Sequence, residues 1–149
     1  MELIRANEMW SRAGAYYVRI EARVKGFGIP METEFDEHDR EDTKYVIARD
    51  GNVPVGTCRV FFETDKIARI ERVVVLEEYR KQGIGRLVVE EAEQWIAESG
   101  AEKIVITSRD NAVGFYEKIG YQADWNQVHE GEIFTTIYME KAISADKGR

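Results

Sequence analysis

Arg80-Lys81-Gln82-Gly83-Ile84-Gly85-Arg86 is the segment of this chain whose residue types speak most plainly of chemistry. Two glycines stand beside two cations, after a β-branched run over 69–75 and before an amphipathic stretch. A glycine-rich turn that opens a helix leaves backbone N–H groups without intrahelical partners, and the helix dipole adds partial positive charge there. Phosphate oxygens satisfy both. The spacing therefore predicts a site for a phosphorylated cofactor or nucleotide. The N–H groups of Gln82 through Arg86 would surround a diphosphate, with Arg80 and Lys81 as charge partners. A P-loop is excluded, because Gly-x-x-x-x-Gly-Lys-Ser/Thr is absent. A dinucleotide fingerprint fits poorly, since Gly83 and Gly85 supply only its first two glycines and an antiparallel meander precedes them.

The elements that must hold this turn follow from hydrophobic periodicity. Residues 3–6 suit a short strand. Residues 8 to about 24 read as a helix whose apolar face is Trp10, Ala13, Tyr17, Ile20 and Val24. Gly26, Gly28 and Pro30 stop it. An acidic loop over 32–42 carries His38 and reads either as solvated surface or as a rim that attracts a cation. Segments 45–49, 53–62 and 67–75 form a meander, with turns at Asp50-Gly51-Asn52 and Thr64-Asp65. Residues 83–99 read as a helix with Ile84, Leu87, Val88, Ala92, Trp95 and Ile96 on one face. A buried strand at 103–107, a short helix capped by Asp110 or Asn111, and a strand at 132–140 complete the chain. The unit 67–75, helix, 103–107 predicts a right-handed crossover between parallel strands. The expected fold class is mixed α/β: six to seven strands, mainly antiparallel, with helices on both faces and one parallel pair.

Length and charge narrow the functions. The 149 residues suit one domain over 1–149. A net charge of -7 argues against general nucleic-acid binding, which needs a basic face to displace counterions. It suits a cationic substrate, or solubility alone. Cys58 is the single cysteine, so an intrachain disulfide and a cysteine zinc cluster are excluded, and no metal is expected. Its apolar surroundings predict a small buried hydrophobe. No run approaches the ~18 apolar residues of a membrane span, and Met1 to Arg5 lack a signal-peptide core. A cytoplasmic protein without membrane contact is the expectation.

Two motifs together resemble a known family. Arg80-Lys81-Gln82-Gly83-Ile84-Gly85 matches the Arg/Gln-x-x-Gly-x-Gly/Ala signature of the GNAT superfamily of acetyl-coenzyme A-dependent N-acetyltransferases. Downstream, Phe115-Tyr116-Glu117-Lys118-Ile119-Gly120-Tyr121 resembles the family's Phe/Leu-Tyr-x-Lys-x-Gly-Phe/Tyr segment. Arg19 to Val24, Ile29-Pro30 and Glu34-Phe35-Asp36-Glu37-His38-Asp39 resemble one small bacterial branch of it. The chain departs from the family at Arg109, where members often carry an asparagine against the pantetheine arm; Asn111 lies two places on. Thr135 and Thr136 stand where the branch often has a histidine.

The resemblance implies acetyl-CoA as cosubstrate, an amine acceptor attacking the thioester directly, and a fold in which the parallel strands splay. It also allows a homodimer. The pantetheine arm would run strand-like beside Val73, Val74 and Val75, with Asn111 and Phe115 as further coenzyme contacts. Loops at 26–42 and 122–131 would shape the acceptor pocket. Deprotonating an amine with a pKa near ~10.4 costs about 4 kcal/mol near neutral pH, so a base is wanted. Glu71, on the strand entering the turn, is the candidate; the competing reading is a plain ion pair. His38 and His129 are weaker candidates. The family uses the tyrosine at the position of Tyr116 as general acid toward the departing thiolate. Competing functions are a non-catalytic acyl-CoA-binding module and a nucleotide-dependent oxidoreductase.

Overall fold

The computed structural model describes residues 1–144. Seven strands form one sheet in the order β1-β2-β3-β4-β5-β7-β6. They are β1 (Glu2–Ala6), β2 (Lys44–Asp50), β3 (Val53–Phe62), β4 (Ile67–Val75), β5 (Lys103–Arg109), β6 (Gln122–Glu130) and β7 (Thr135–Ala142). The helices are α1 (Met9–Arg19), α2 (Met31–Glu34), α3 (Ile84–Glu98) and α4 (Val113–Glu117). A π-helical segment, Ile20–Lys25, continues α1. The expected mixed sheet is present, and its parallel pair is β4–β5, registered at Ile67↔Lys103, Ala68↔Ile104 and Arg69↔Val105. The chain gathers into two compact units, 1–61 with 70–95, and 62–69 with 96 onward.

In unit one, β1 and β3 flank β2 in antiparallel register, from Glu2↔Arg49 and Lys44↔Val60 onward. Gly51, at φ +60, makes the tight β2–β3 turn that a side chain would resist. Ala6, Ala15, Tyr45 and Ile47 form a buried cluster under Ile4 and Tyr16. Cys58 is fully buried, as expected, and burial pushes its thiol pKa up to about 12, so it is an inert core group.

The face of the first helix is rotated from the one apolarity predicts. Trp10 and Tyr17 are 49% and 42% exposed, and Ala13 is exposed too. The inward positions are Ser11, Gly14, Ala15, Val18 and Arg19. The helical period is right, but small residues face the sheet because they permit close approach: a Cβ on Gly14 would meet Ile47 Cδ1 at 3.2 Å. Ser11 adds a cap, accepting from the Glu8 backbone N–H at 3.2 Å and donating to the Glu8 carbonyl at 3.0 Å. On α3, Ile84, Val88, Val89, Ala92 and Ile96 are buried, whereas Leu87 is 37% exposed.

In unit two, β7 lies between β5 and β6, registered from Lys103↔Ala142 and Gln122↔Glu140. Residues 122–130, expected as loop, are this edge strand. Their mostly exposed, polar side chains suit an edge and hide the alternation that marks a half-buried strand. A register shift between Asp124 and Val128 interrupts the β6–β7 pairing further. Asp110 and Asn111 do not cap α4. They lie inside a 3-10 turn, Asp110–Ala112, that precedes it.

Gly56 makes a close contact between unit one's sheet and α3. An ideal Cβ on Gly56 would lie 2.8 Å from Ile84 Cγ2, at the first residue of the helix. Gly56→Ala should therefore destabilise the protein by about 1–3 kcal/mol in urea unfolding. Ile84→Ala removes the clashing methyl and should make the second substitution less costly in a double-mutant cycle. Strict additivity would show that no such contact exists.

Candidate functional site

The turn that carries the cation-glycine segment is built from two left-handed residues. After β4, Leu76 donates its N–H to the Val55 carbonyl at 2.8 Å, and a 3-10 turn spans Glu77–Tyr79. Lys81 then takes φ 65 and Gly83 φ 81. A glycine adopts this freely, while lysine pays roughly 1–2 kcal/mol for it. The first α3 bond runs from Leu87 N–H to the Gly83 carbonyl at 3.2 Å. The N–H groups of Ile84, Gly85 and Arg86 are thus the helix's partnerless first turn. Arg80 donates Nε to the Val75 carbonyl at 3.1 Å, which ties the turn to the end of β4. Lys81 is exposed, and exposed Arg86 pairs with Glu90 at 3.1 Å. A cavity of about 330 Å³ opens beside the turn, lined by Tyr17, Glu21, Phe27, Leu76, Glu77, Glu78 and Arg80 among others.

Behind the turn, unit one holds an ion network. Arg19 is fully buried and donates to Glu34 Oε2 at 2.9 Å and to both Asp39 oxygens at 2.7 and 2.9 Å. Arg23 reaches Glu34 Oε1 at 2.6 Å. Arg59, also fully buried, bridges Asp36, Asp39 and Glu71. Arg72 pairs with Glu34 and Asp36 at 3.2 and 3.0 Å. Four guanidinium groups thus meet four carboxylates. Tyr45 Oη donates to Asp39 Oδ1 at 2.6 Å.

Each shift in this network records burial against pairing. Burial would raise the Asp39 carboxyl, but hydrogen bonds from Arg19 and Tyr45 and the Arg19 charge hold it well below the usual carboxylate range. Asp36 is likewise lowered: burial is outweighed by the His38 backbone N–H and by Arg59. Burial opposes the Arg19 charge, yet Asp39 and Glu34 leave it more firmly protonated. Arg59 is raised in the same way by Glu71, Asp39 and Asp36. Arg72 is the exception. Burial lowers it first and Arg59 and Arg23 repel it, so the attraction of Glu34 and Asp36 only partly compensates.

Of the acidic loop, Glu34, Asp36 and Asp39 are therefore neither solvated surface nor rim; arginines consume them. Glu32, Glu37, Glu41 and Asp42 remain exposed. Alternation along β4 breaks at Arg72, whose φ of 54 is left-handed, so neighbouring Glu71 and Arg72 both enter the network. Glu71 Oε1 meets Arg59 Nη2 at 3.1 Å and His38 Nδ1 at 2.7 Å. His38 is thus no bare loop histidine, and its ring stacks on Phe61 with centroids 3.5 Å apart. Sequence periodicity missed this pairing, because the loop that carries His38 has no regular repeat.

Unit two supplies the second signature. Tyr116, on α4, is buried, with its ring edge-on to Phe115 at 4.9 Å and to Tyr121 at 5.9 Å. Phe115 is 38% exposed and Asn111 is exposed. Arg109 lies over the Phe134 ring, 4.1 Å from its centroid. Unit one accordingly brings together Glu71, Val73 to Val75 and the 80–86 turn, while unit two carries Asn111, Phe115 and Tyr116. Among the described residues, no helix is long and apolar enough to cross a membrane.

Comparison with known proteins places these features in context. A model of the acetyltransferase (GNAT) family matches residues 14–121. An uncharacterised N-acetyltransferase of Bacillus subtilis is 35% identical over 108 residues, 72% of this chain and 76% of that protein. The crystal structure of a candidate N-acetyltransferase of Lactobacillus plantarum superposes with a TM-score of 0.88 at 27% identity, covering 95% of this chain and 97% of that one. An aminoglycoside 6'-N-acetyltransferase complexed with coenzyme A shares the fold, with a TM-score of 0.78 at 17% identity over 99% of each chain.

The network sets an acid limit on stability. Asp36 and Asp39 titrate below the unfolded value near ~3.9. Their contribution is complete above that pH and is lost as pH falls through the lower folded values. Urea unfolding should show stability nearly level from pH 7 to about 5, then falling below about 4. Asp39→Asn should start less stable and show a shallower acid decline. An unchanged acid slope in that variant would contradict the pairing.

Proposed function

The chain belongs to the acetyltransferase (GNAT) family, and on that premise we propose that it transfers an acetyl group from acetyl-CoA to a primary amine by direct attack on the thioester. The observation that carries this reading is the turn at 80–86, whose left-handed Lys81 and Gly83 deliver α3's first-turn N–H groups outward beside two cations. Those amides, with Arg80 and Lys81, bind the coenzyme's diphosphate. The pantetheine arm runs along the end of β4 at Val73 to Val75.

Chemistry then requires two proton movements. The acceptor arrives as an ammonium ion and must lose a proton before its lone pair can attack. Glu71, on β4, serves that proton removal. The leaving thiolate needs a donor. Tyr116, a phenol protonated at neutral pH, supplies it as general acid. No covalent enzyme intermediate is formed, and Cys58, buried with a raised pKa, takes no part. A second reading, a non-catalytic acyl-CoA-binding module, draws on Arg109, which covers Phe134 where many family members place an asparagine.

Calorimetry and a free-thiol assay test this reading. The protein should bind acetyl-CoA and release thiol with at least one member of a panel such as spermidine, tyramine and lysine. Reversing charge with Arg80→Glu and Lys81→Glu should weaken coenzyme binding at least tenfold, about 1.4 kcal/mol. Tyr116→Phe should keep binding and lower kcat by about 10²-fold or more. Binding without turnover on any amine favours the second reading, and no binding at all ends both.

A further inference from the structure

Proton removal from the acceptor needs a base, and unit one holds a side-chain pair suited to it. Glu71 Oε1 accepts from Arg59 Nε at 3.2 Å, from Arg59 Nη2 at 3.1 Å and faces His38 Nδ1 at 2.7 Å. Taking a proton on that oxygen would forfeit these donors. A carboxylate oxygen has no hydrogen to give, so at 2.7 Å the imidazole must carry its proton on Nδ1 and donate it. In the neutral ring the lone pair is then on Nε2. Every hydrogen bond His38 makes among the described residues involves other atoms: its N–H to Asp36 Oδ1 at 2.9 Å, its carbonyl from Thr43, and Nδ1. The side chain keeps 21% of its surface open.

We infer that His38, oriented by Glu71, is the general base of the reaction, with Nε2 accepting the proton of the incoming amine. This deepens the acetyl-transfer reading and rests on it. The ring is placed by three elements. Phe61 on β3 stacks against it, interplanar angle 5°. Glu71 on β4 fixes its tautomer, and its own loop holds its backbone through Asp36 and Thr43. The charged groups around it are Glu71, Arg59 behind Glu71, Asp36 at its backbone, and Arg40, whose guanidinium lies 5.7 Å from the Phe61 ring centre. The four guanidiniums and four carboxylates of the network balance without counting the imidazole, so the ring can take up a charge without unpairing an arginine.

Nε2 takes one proton from the ammonium, giving an imidazolium paired with Glu71. The freed lone pair forms the C–N bond as the C–S bond breaks. The thiolate is protonated at the expense of the amide nitrogen's surplus proton, by way of Tyr116. The imidazolium returns its proton to solvent.

The pH dependence of kcat/KM for His38→Gln and Glu71→Gln tests the assignment, using acetyl-CoA and the best amine of the panel. The unsubstituted protein should lose activity on the acid side as its base takes up a proton. His38→Gln should abolish that limb and lower kcat by about 10²–10⁴-fold, with the KM for acetyl-CoA unchanged. Glu71→Gln should keep the limb but lower kcat, with the KM for acetyl-CoA unchanged, since the ring loses the acceptor that orients it. The reverse pattern, with the limb lost in Glu71→Gln and kept in His38→Gln, overturns the inference and leaves acetyl transfer standing. A protein that binds acetyl-CoA but releases no thiol with any amine overturns the transfer reading itself. A long-range ¹H–¹⁵N spectrum of the ring reads the tautomer without turnover: Nδ1 protonated and Nε2 bare supports the assignment, and the opposite tautomer contradicts it.

Discussion

The Arg19–Asp39–Arg59 chain of charges is the constraint on which unit one depends. Arg19 and Arg59 are fully buried. An isolated guanidinium in such a place is untenable, and removing one partner of a buried pair costs about 3–5 kcal/mol because the other charge is stranded. The acidic loop is therefore pinned. Glu34, Asp36 and Asp39 must sit where α1, the π-helical segment, β3 and β4 present their arginines. A loop of irregular sequence acquires one conformation from electrostatics rather than from hydrophobic packing. His38 lies between two of these anchors, so its ring is carried to Phe61 and Glu71 by the same constraint.

The turn at 80–86 applies a related principle with partial charges. Amide N–H groups at a helix start carry fixed positive potential and have no internal partners. Lys81 and Gly83 bend the chain so that these groups end a strand-to-helix joint, and Arg80 clamps the joint to Val75. Gly56 lets α3 begin against β3, because only a hydrogen fits below Ile84. The strand, the glycine and the helix start thus form one device. Arg72, left-handed within β4, links it to the ion network by aiming two successive side chains the same way.

Much of this was legible in the residues. Glycines next to cations at a strand-to-helix joint predicted the turn, and the strand-helix order with two signatures predicted the family and the mixed sheet. What escaped had physical reasons. The first helix was turned the wrong way because its interior is small and ionic, Ser11, Gly14, Ala15 and Arg19, while Trp10 and Tyr17 stay outside. Residues 122–130 read as loop in the sequence because an edge strand needs no apolar face. Arg19, Arg59 and Arg72 were invisible as a set, since ion pairs 12 to 38 residues apart leave no period in sequence. For Glu71, the ion-pair reading is the one the structure bears out, with Arg59 and His38 as its partners.

The most direct measurement is a crystal structure of the protein soaked with acetyl-CoA. The expected result places the diphosphate oxygens within about 3 Å of the backbone N–H groups of residues 82–86. A diphosphate lodged anywhere else on the chain, with those amides facing only solvent, would contradict the central claim.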